Sequence, residues 1–491
     1  MGAGVSSWTL AREVALHGQL GVVSGTALDT ILIRRLALGD PGGHMRRAIS
    51  AFPFRAFAQR MLQRYFRSAR DADDETATPI AGEQNHERNT PPPSGTPDPA
   101  RRRHPLLPLP RAKLTRDRAL LLMLANFVEV RLAKTGHDGM VGINYLHKIQ
   151  LPILPSLYGA MLAGVDAVLI GAGIPGDIPE TLDRFVEHQP ASLTLDLLDA
   201  GAERRELSFD PGALWSDEAS GWRPPPLQRP EFLAIVSSVT LGRALLKKAP
   251  GGIDGLVVER PIAGGHNAPP RGPMQLSRDG QPIYGPRDEV DPADLAPLGV
   301  PFWLAGGYAT REQFRAAIAA GARGVQIGTA FAFCEESGLD PALRAQCIDA
   351  VLHDATRVFT DPAASPTRFP FKVVELPETL STKEIYDNRP RVCDLGYLRR
   401  AYLKPDGTVG YRCPAEPVDD YVHKGGDAAD TVGRKCLCNA LMANIGLAQR
   451  RPDGYEEPPL LTAGDDLDCI RQFVSHDHPT YRARDVIEAI L

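Results

Sequence analysis

The sequence predicts an α/β fold of the (β/α)8 barrel type, and three observations carry that expectation. Short apolar runs alternate with amphipathic stretches up to about residue 335, the pattern of a parallel sheet with crossover helices. The helical stretches carry their own start and stop signals. Two successive runs near the end of the alternation are each followed by glycine and then by a helix start.

The expected strands, in order, are residues 21–24, 141–144, 167–171, 233–237, 255–259, 302–305 and 325–328. Asp177 with Glu180, and Thr310 with Gln313, have the spacing of a capping box, while Gly164 and Gly321 fall where helices end. Over 118–134, Leu121, Leu124, Val128 and Leu132 recur at helical spacing before a Thr135-Gly136 stop, so this segment is expected to be helix. Residues 191–230 interrupt the alternation with one strand candidate at 193–198 and read as an excursion from the barrel. The strand count is then seven, one short of closure, and an unclosed barrel leaves exposed edges.

The chain has 491 residues, 43% hydrophobic and 23% charged, with a formal net charge of −5. This is the composition of a globular protein and lacks the basic balance of a nucleic-acid binder. No apolar run is long enough to span a bilayer, and the N-terminal residues lack the order of a signal peptide, so no membrane association and a cytoplasmic location are expected.

Residues 70–112 pass from acidic to proline-rich (TPPPSGTPDP) to basic, and such a segment cannot bury enough apolar surface to order itself. The expected organisation is a barrel opening over 1–69, a disordered insertion at 70–112, the rest of the barrel over 113–365 and a mixed, loop-rich extension over 366–491. Five of the seven cysteines fall in that extension, four of them, Cys393, Cys413, Cys436 and Cys438, within 46 residues. An odd number of cysteines without an export signal reads as free thiols, and their irregular spacing lacks the paired CxxC knuckles of a zinc site, so no metal is assigned.

The chemistry concentrates in VVERPIAGGHNAPP (257–270). A histidine placed after a buried strand, on a loop freed of bulk by Gly264 and Gly265, can approach a planar ligand and exchange protons near neutral pH. Gly306-Gly307, after the penultimate strand, and Gly328-Thr329, after the last, suit a phosphate, because glycine exposes backbone N–H groups and a helix start adds a favourable field. Neither GxGxxG after an early strand nor GxxxxGK[ST] is present, so a flavin mononucleotide on a barrel fits better than a dinucleotide or nucleoside triphosphate on an open sheet.

Over about residues 6–340 the chain resembles the nitronate monooxygenase family, formerly 2-nitropropane dioxygenases, which are FMN-binding TIM barrels. Within it the chain is most similar to the branch with the enoyl reductases of trans-acyltransferase polyketide and polyunsaturated fatty acid synthases. The resemblance rests on GQLGVVSGTALD (18–29), GDPGGHMRRA (39–48), VGINYLHKIQLP (141–152), AMLAGVDAVLIGAGIP (160–175), AGGHNAPPRG (263–272), FWLAGGYAT (302–310) and GVQIGTAF (324–331). It implies that His266 is the active-site histidine and that Gly306, Gly307, Gly328 and Thr329 hold the flavin phosphate. It further implies that Gly25, Asn144, Gly171 and Ser237 or Ser238 face the flavin ring. Relatives open with a further strand, so the first barrel strand is expected to be missing: either the start codon is placed too late, or another segment, with 121–126 the candidate, fills the gap.

Three functions follow from the resemblance. A nitronate monooxygenase would oxidise alkyl nitronates to carbonyl compounds with release of nitrite, using His266 to deprotonate or position the substrate. An enoyl-thioester reductase would take electrons from NAD(P)H and receive its thioester on an acyl carrier protein. A flavin-binding protein without turnover is the third. Oligomeric state is left open.

Overall fold

The computed structural model describes residues 2–68, 103–198, 203–216, 224–249 and 252–491. Seven strands, β1 (Gly21–Ser24), β2 (Val141–Leu146), β3 (Ala167–Gly171), β4 (Glu231–Val236), β5 (Gly255–Glu259), β6 (Phe302–Ala305) and β7 (Gly324–Gln326), form one parallel sheet in sequence order. Each overlaps an expected strand, and the last, expected at 325–328, ends at Gln326.

Alternation of side chains along the strands separates two cores. Val23, Val168, Phe232, Leu256 and Leu304 point outward into the core shared with the helices. Their neighbours Val22, Leu169, Leu233, Val257 and Trp303 form a separate cluster on the other face. Because Val22 of β1 and Trp303 of β6 belong to one inner cluster, the sheet is curled into a partial barrel.

The barrel does not close. Among the described residues β1 and β7 are both edge strands. Residues 121–126 do not fill the gap: they lie inside the helix Arg116–Ala133, which is buried on nearly every side. Apolar residues all round suit a helix enclosed by other helices better than an edge strand. The helix Ile153–Leu162 crosses it so closely that a Cβ on Gly159 would fall 2.3 Å from the carbonyl oxygen of Met123.

Helices and loops cover the open side instead. The C-terminal helix Ala483–Ile490 buries Ala483, Val486, Ile487 and Ile490 against the helices Trp8–Leu16, Arg311–Ala319 and Thr329–Ala332. Arg311 donates to the carbonyls of Glu488 (2.8 Å) and Ala489 (3.2 Å), a cation at the helix end where the macrodipole favours one. At the free edge of β1, the carbonyl of Ser6 accepts from the Ser24 N–H (2.8 Å), and the Ser6 hydroxyl donates to the Val22 carbonyl (2.5 Å). One serine thus satisfies two groups that a neighbouring strand would have paired.

The C-terminal region is part of the core rather than an appendage. Arg34, fully buried, donates to the Leu447 carbonyl (2.5 Å) and the Gln449 side chain (2.7 Å). Tyr397 donates to Asp29 (2.5 Å), which also pairs with Arg118 (2.5 Å). The excursion carries the antiparallel strands Ala191–Leu195 and Arg205–Phe209, and its Leu197–Leu198 extends the hairpin Arg400–Leu403 with Val409–Arg412.

Most of the expected insertion at 70–112 lies outside the described residues. Its last part is extended chain laid on the C-terminal region: the Pro110 carbonyl accepts from Arg399 (2.6 Å), and the Ala112 N–H donates to the Tyr411 hydroxyl (2.7 Å). The Thr310–Gln313 capping box is present. The Asp177–Glu180 box is not, because the Asp177 carboxylate accepts instead from the N–H of Thr194 (3.4 Å) in the neighbouring excursion strand.

Candidate active site

A cavity of about 520 Å³ fills the inside of the curled sheet and the gap between β1 and β7. It reaches from Leu20 and Arg323, at the starts of the edge strands, to His266 and the glycine loops beyond the strand ends. That volume lies within the usual range for small-molecule and cofactor sites, about 300–1,000 Å³.

The His266 loop is built by close approach. Gly264 lies against the C-terminal segment, where a Cβ would fall 2.8 Å from the backbone of Ala463 and Gly464. Gly265 has φ +82°, its N–H donates to Thr462 Oγ1 (3.0 Å), and its carbonyl accepts from the Lys372 N–H (2.9 Å). His266, half-buried, then bridges to Phe371 with the two rings edge-on at 4.9 Å. Its Nε2 lies 2.7 Å from the hydroxyl of the fully buried Ser365, which also contacts the Thr367 hydroxyl (2.8 Å).

Burial pushes the His266 pKa down to about 3, which corrects the expectation of an imidazole titrating near neutrality. The group that titrates there is Glu259, the last residue of β5 and part of the same cavity wall. Burial raises its carboxyl to about 7. Two groups lining one cavity with opposed shifts divide the roles: a neutral imidazole to hold a ligand, and a carboxyl able to take or give a proton at physiological pH.

Both glycine loops line this cavity. Gly306 and Gly307 have φ of +92° and +76°, conformations that other residues adopt only under strain. Space is open where a Cβ on Gly328 would stand, and the Thr329 hydroxyl accepts from the Gly464 N–H (2.9 Å). Arg260 borders the loops, donating to Glu289 (3.1 Å) and lying over the Tyr308 ring. Exposed backbone, open space and a nearby guanidinium fit a phosphate.

Asn144 and Gly171 also line the cavity. Gly25 and Ser237 do not. A Cβ on Gly25 would run into the Tyr145 ring at 2.4 Å, and Gly25 faces a smaller adjoining pocket. Ser237 follows β4 and its carbonyl accepts from Arg271 (2.9 Å), while Ser238 caps the helix Val239–Lys248 by accepting from the Leu241 N–H (3.1 Å). The resemblance puts these residues at strand ends, and a strand-end position does not fix the direction of a turn.

Sequence reasoning missed Glu259, Ser365, Phe371 and the segment 462–464. Glu259 had a signal: it shares the inward parity of Val257 on β5. The others come from the C-terminal side, distant in sequence, and carried none.

Residues 228–369 match the family model described as nitronate monooxygenase. A curated relative, "Probable nitronate monooxygenase" of Bacillus subtilis (strain 168), is 35% identical over 116 residues, covering 24% of this chain and 31% of the relative. The chain thus matches less than a third of that relative's length. Among solved structures, FabK from Thermotoga maritima has a TM-score of 0.40 at 17% identity, over 74% of this chain and 80% of that one. A nitroalkane oxidase from Streptomyces ansochromogenes has a TM-score of 0.44 at 14% identity, over 100% and 92%. The enoyl reductase domain of MlnA from Bacillus amyloliquefaciens has a TM-score of 0.37 at 12% identity, over 75% and 83%. These structural scores are too low to bear on the chemistry. Residues 228–369, which hold the His266 loop and both glycine loops, are thus similar to the nitronate monooxygenase family.

Proposed function

We propose that the protein is an FMN-dependent oxidoreductase that oxidises alkyl nitronates to carbonyl compounds with release of nitrite. The observation that carries this reading is the convergence of His266, Glu259 and the two glycine loops on one cavity. Gly306, Gly307, Gly328 and Thr329 would hold the phosphate, with Arg260 at their edge, while Asn144, Gly171 and Gly264–His266 line the space left for the ring and the substrate. The flavin, when bound, supplies the electron-transfer chemistry.

The chain's own residues bind, orient and move the proton. His266, neutral and held by Ser365, presents its ring to the cavity as a hydrogen-bonding partner for a nitro or nitronate group. Glu259, titrating near 7, accepts the α-proton when the substrate arrives as a neutral nitroalkane. The apolar inner wall of Leu169, Leu233 and Val257 takes the alkyl part and excludes water.

The depth of the apolar cavity favours a second reading, reduction of an enoyl thioester by NAD(P)H, with the acyl chain lying along the gap between β1 and β7. In it the thioester is delivered by an acyl carrier protein. One experiment separates the two. Protein loaded with FMN is mixed anaerobically with NADPH or NADH, and separately in air with a primary nitronate, while the flavin spectrum and nitrite are followed. Nitrite formation supports the first reading. Flavin reduction by NAD(P)H without nitrite, followed by reoxidation on adding an enoyl thioester, replaces it with the second. Protein that binds no flavin overturns both.

A further inference from the structure

One stretch of the C-terminal region, residues 463–466, joins the two parts of the candidate site. The Gly464 N–H donates to Thr329 Oγ1 (2.9 Å), on the glycine-loop side, and the Asp465 N–H donates to the Ile262 carbonyl (2.9 Å), at the start of the His266 loop. Gly464 is wedged between them: a Cβ there would lie 2.9 Å from the Ile262 carbonyl oxygen and 3.1 Å from Thr329 Oγ1. Asp466, the next residue, is half-buried and lines the cavity. A ligand that reaches from the Gly328–Thr329 loop to His266 passes this stretch.

Asp466 stands immediately before the helical turn Leu467–Gln472, where an aspartate ordinarily accepts from the first free N–H groups of the turn. Asp291, Asp340 and Asp427 do this at the starts of their own helical turns. Asp466 makes no such bond, and among the described residues its carboxylate has neither a hydrogen-bond donor nor an ion-pair partner. The acidic residues on either side are satisfied: Asp465 accepts from the buried Lys372 (2.5 Å), and Asp468 pairs with Arg471 (3.0 Å). The turn itself is anchored over the site, because Gln472 donates to the Ala309 carbonyl (3.0 Å) in the loop after β6.

Burial, with Asp468 close by, pushes the Asp466 carboxyl above the usual range. That is the behaviour of a charge partly withdrawn from water without donors to compensate it. A phosphate has the same sign of charge and cannot supply them, and neither can an apolar ring face. A hydroxylated chain can, since each hydroxyl is a donor.

We propose that Asp466 binds the hydroxylated linker of the flavin, accepting hydrogen bonds from ribityl hydroxyls between the ring near His266 and the phosphate at Gly306, Gly307, Gly328 and Thr329. The proposal rests on the flavin reading above. It makes the C-terminal region a direct contributor to the cofactor site as well as the support of the His266 loop.

The test is made on the full-length protein freed of flavin and titrated with FMN, riboflavin and lumiflavin, with quenching of flavin fluorescence as the readout. Riboflavin lacks the phosphate, and lumiflavin lacks the ribityl chain as well. Asp466→Ala should raise Kd for FMN and for riboflavin by roughly 10- to 100-fold, the loss expected for hydrogen bonds to a charged acceptor, and leave Kd for lumiflavin unchanged. Asp466→Asn, which keeps one acceptor oxygen without the charge, should lose less, and Asp468→Ala should change none of the three. An unchanged Kd for riboflavin in Asp466→Ala overturns the proposal. So does tighter FMN binding, which would mean that the carboxylate only repels the phosphate, and so does equal weakening of all three ligands, which would mean that the cavity wall has shifted. Where Asp466→Ala fails to fold, the riboflavin-to-lumiflavin comparison in Asp466→Asn decides. Wild-type protein that binds no flavin overturns the flavin reading and this proposal together, whereas flavin-binding wild type with an unaffected variant overturns this proposal alone.

Discussion

The mouth of the cavity has two unlike halves. One is borne on the ends of β5, β6 and β7, where glycines at positive φ place backbone and His266 around an open space. The other comes from the C-terminal side, where Ser365, Phe371 and residues 462–464 contribute a hydroxyl, a ring and a close-packed backbone that fix the first half in place. The strand-borne half supplies groups able to meet a ligand. The C-terminal half determines how those groups ionise and which way they point, since burial against it makes His266 neutral.

Disabling the strand-borne half should have the largest effect. Gly307→Val puts a β-branched residue at φ +76°, with its Cβ about to meet Ile262 at 2.5 Å, and purified protein should lose its bound FMN. His266→Ala should leave flavin bound while lowering kcat/KM by roughly 100- to 10,000-fold, the range for removal of a positioned acid–base or binding group.

The join between the halves comes next. Arg34→Ala removes a fully buried cation with two partners in the C-terminal region and should cost about 3–5 kcal/mol in denaturant unfolding. Acid should weaken the same join. Burial, reinforced by Arg34 and Arg450, pushes the His104 pKa from its usual 6.5 down to about 4. The unfolded chain therefore binds this proton first: the stability is fully present above pH 6.5 and is lost as pH falls towards 4, by up to about 3 kcal/mol. His104→Phe should flatten that part of the stability–pH curve.

The smallest effects test the division of roles. The kcat/KM profile should show a limb near pH 7 that disappears in Glu259→Gln, with no imidazole limb near 6.5. Ser365→Ala, which removes one buried hydrogen bond to His266, should cost about 1–2 kcal/mol of transition-state stabilisation, close to tenfold in rate. A limb near 6.5 that persists in Glu259→Gln would return the titrating role to His266.

Local pattern alone located the seven strands, the helix at 116–133, the Thr310 cap and the glycine loops, because each depends on residues close in sequence. The count of seven against eight anticipated the open edge. Sequence missed at points where the outcome depends on what lies alongside. Asp177 bonded to a neighbouring strand rather than to its own helix, and Gly25 and Ser237 turned away from the cavity.

Hydrophobic periodicity and glycine placement, acting over a few residues, therefore determined the barrel strands and the position of His266 by themselves. Only the tertiary structure decided that helices rather than a strand cover the gap and that Glu259 rather than His266 titrates near neutrality. Each of those depends on burial and contact between segments far apart in the chain, and neither is encoded in the spacing of residues along it.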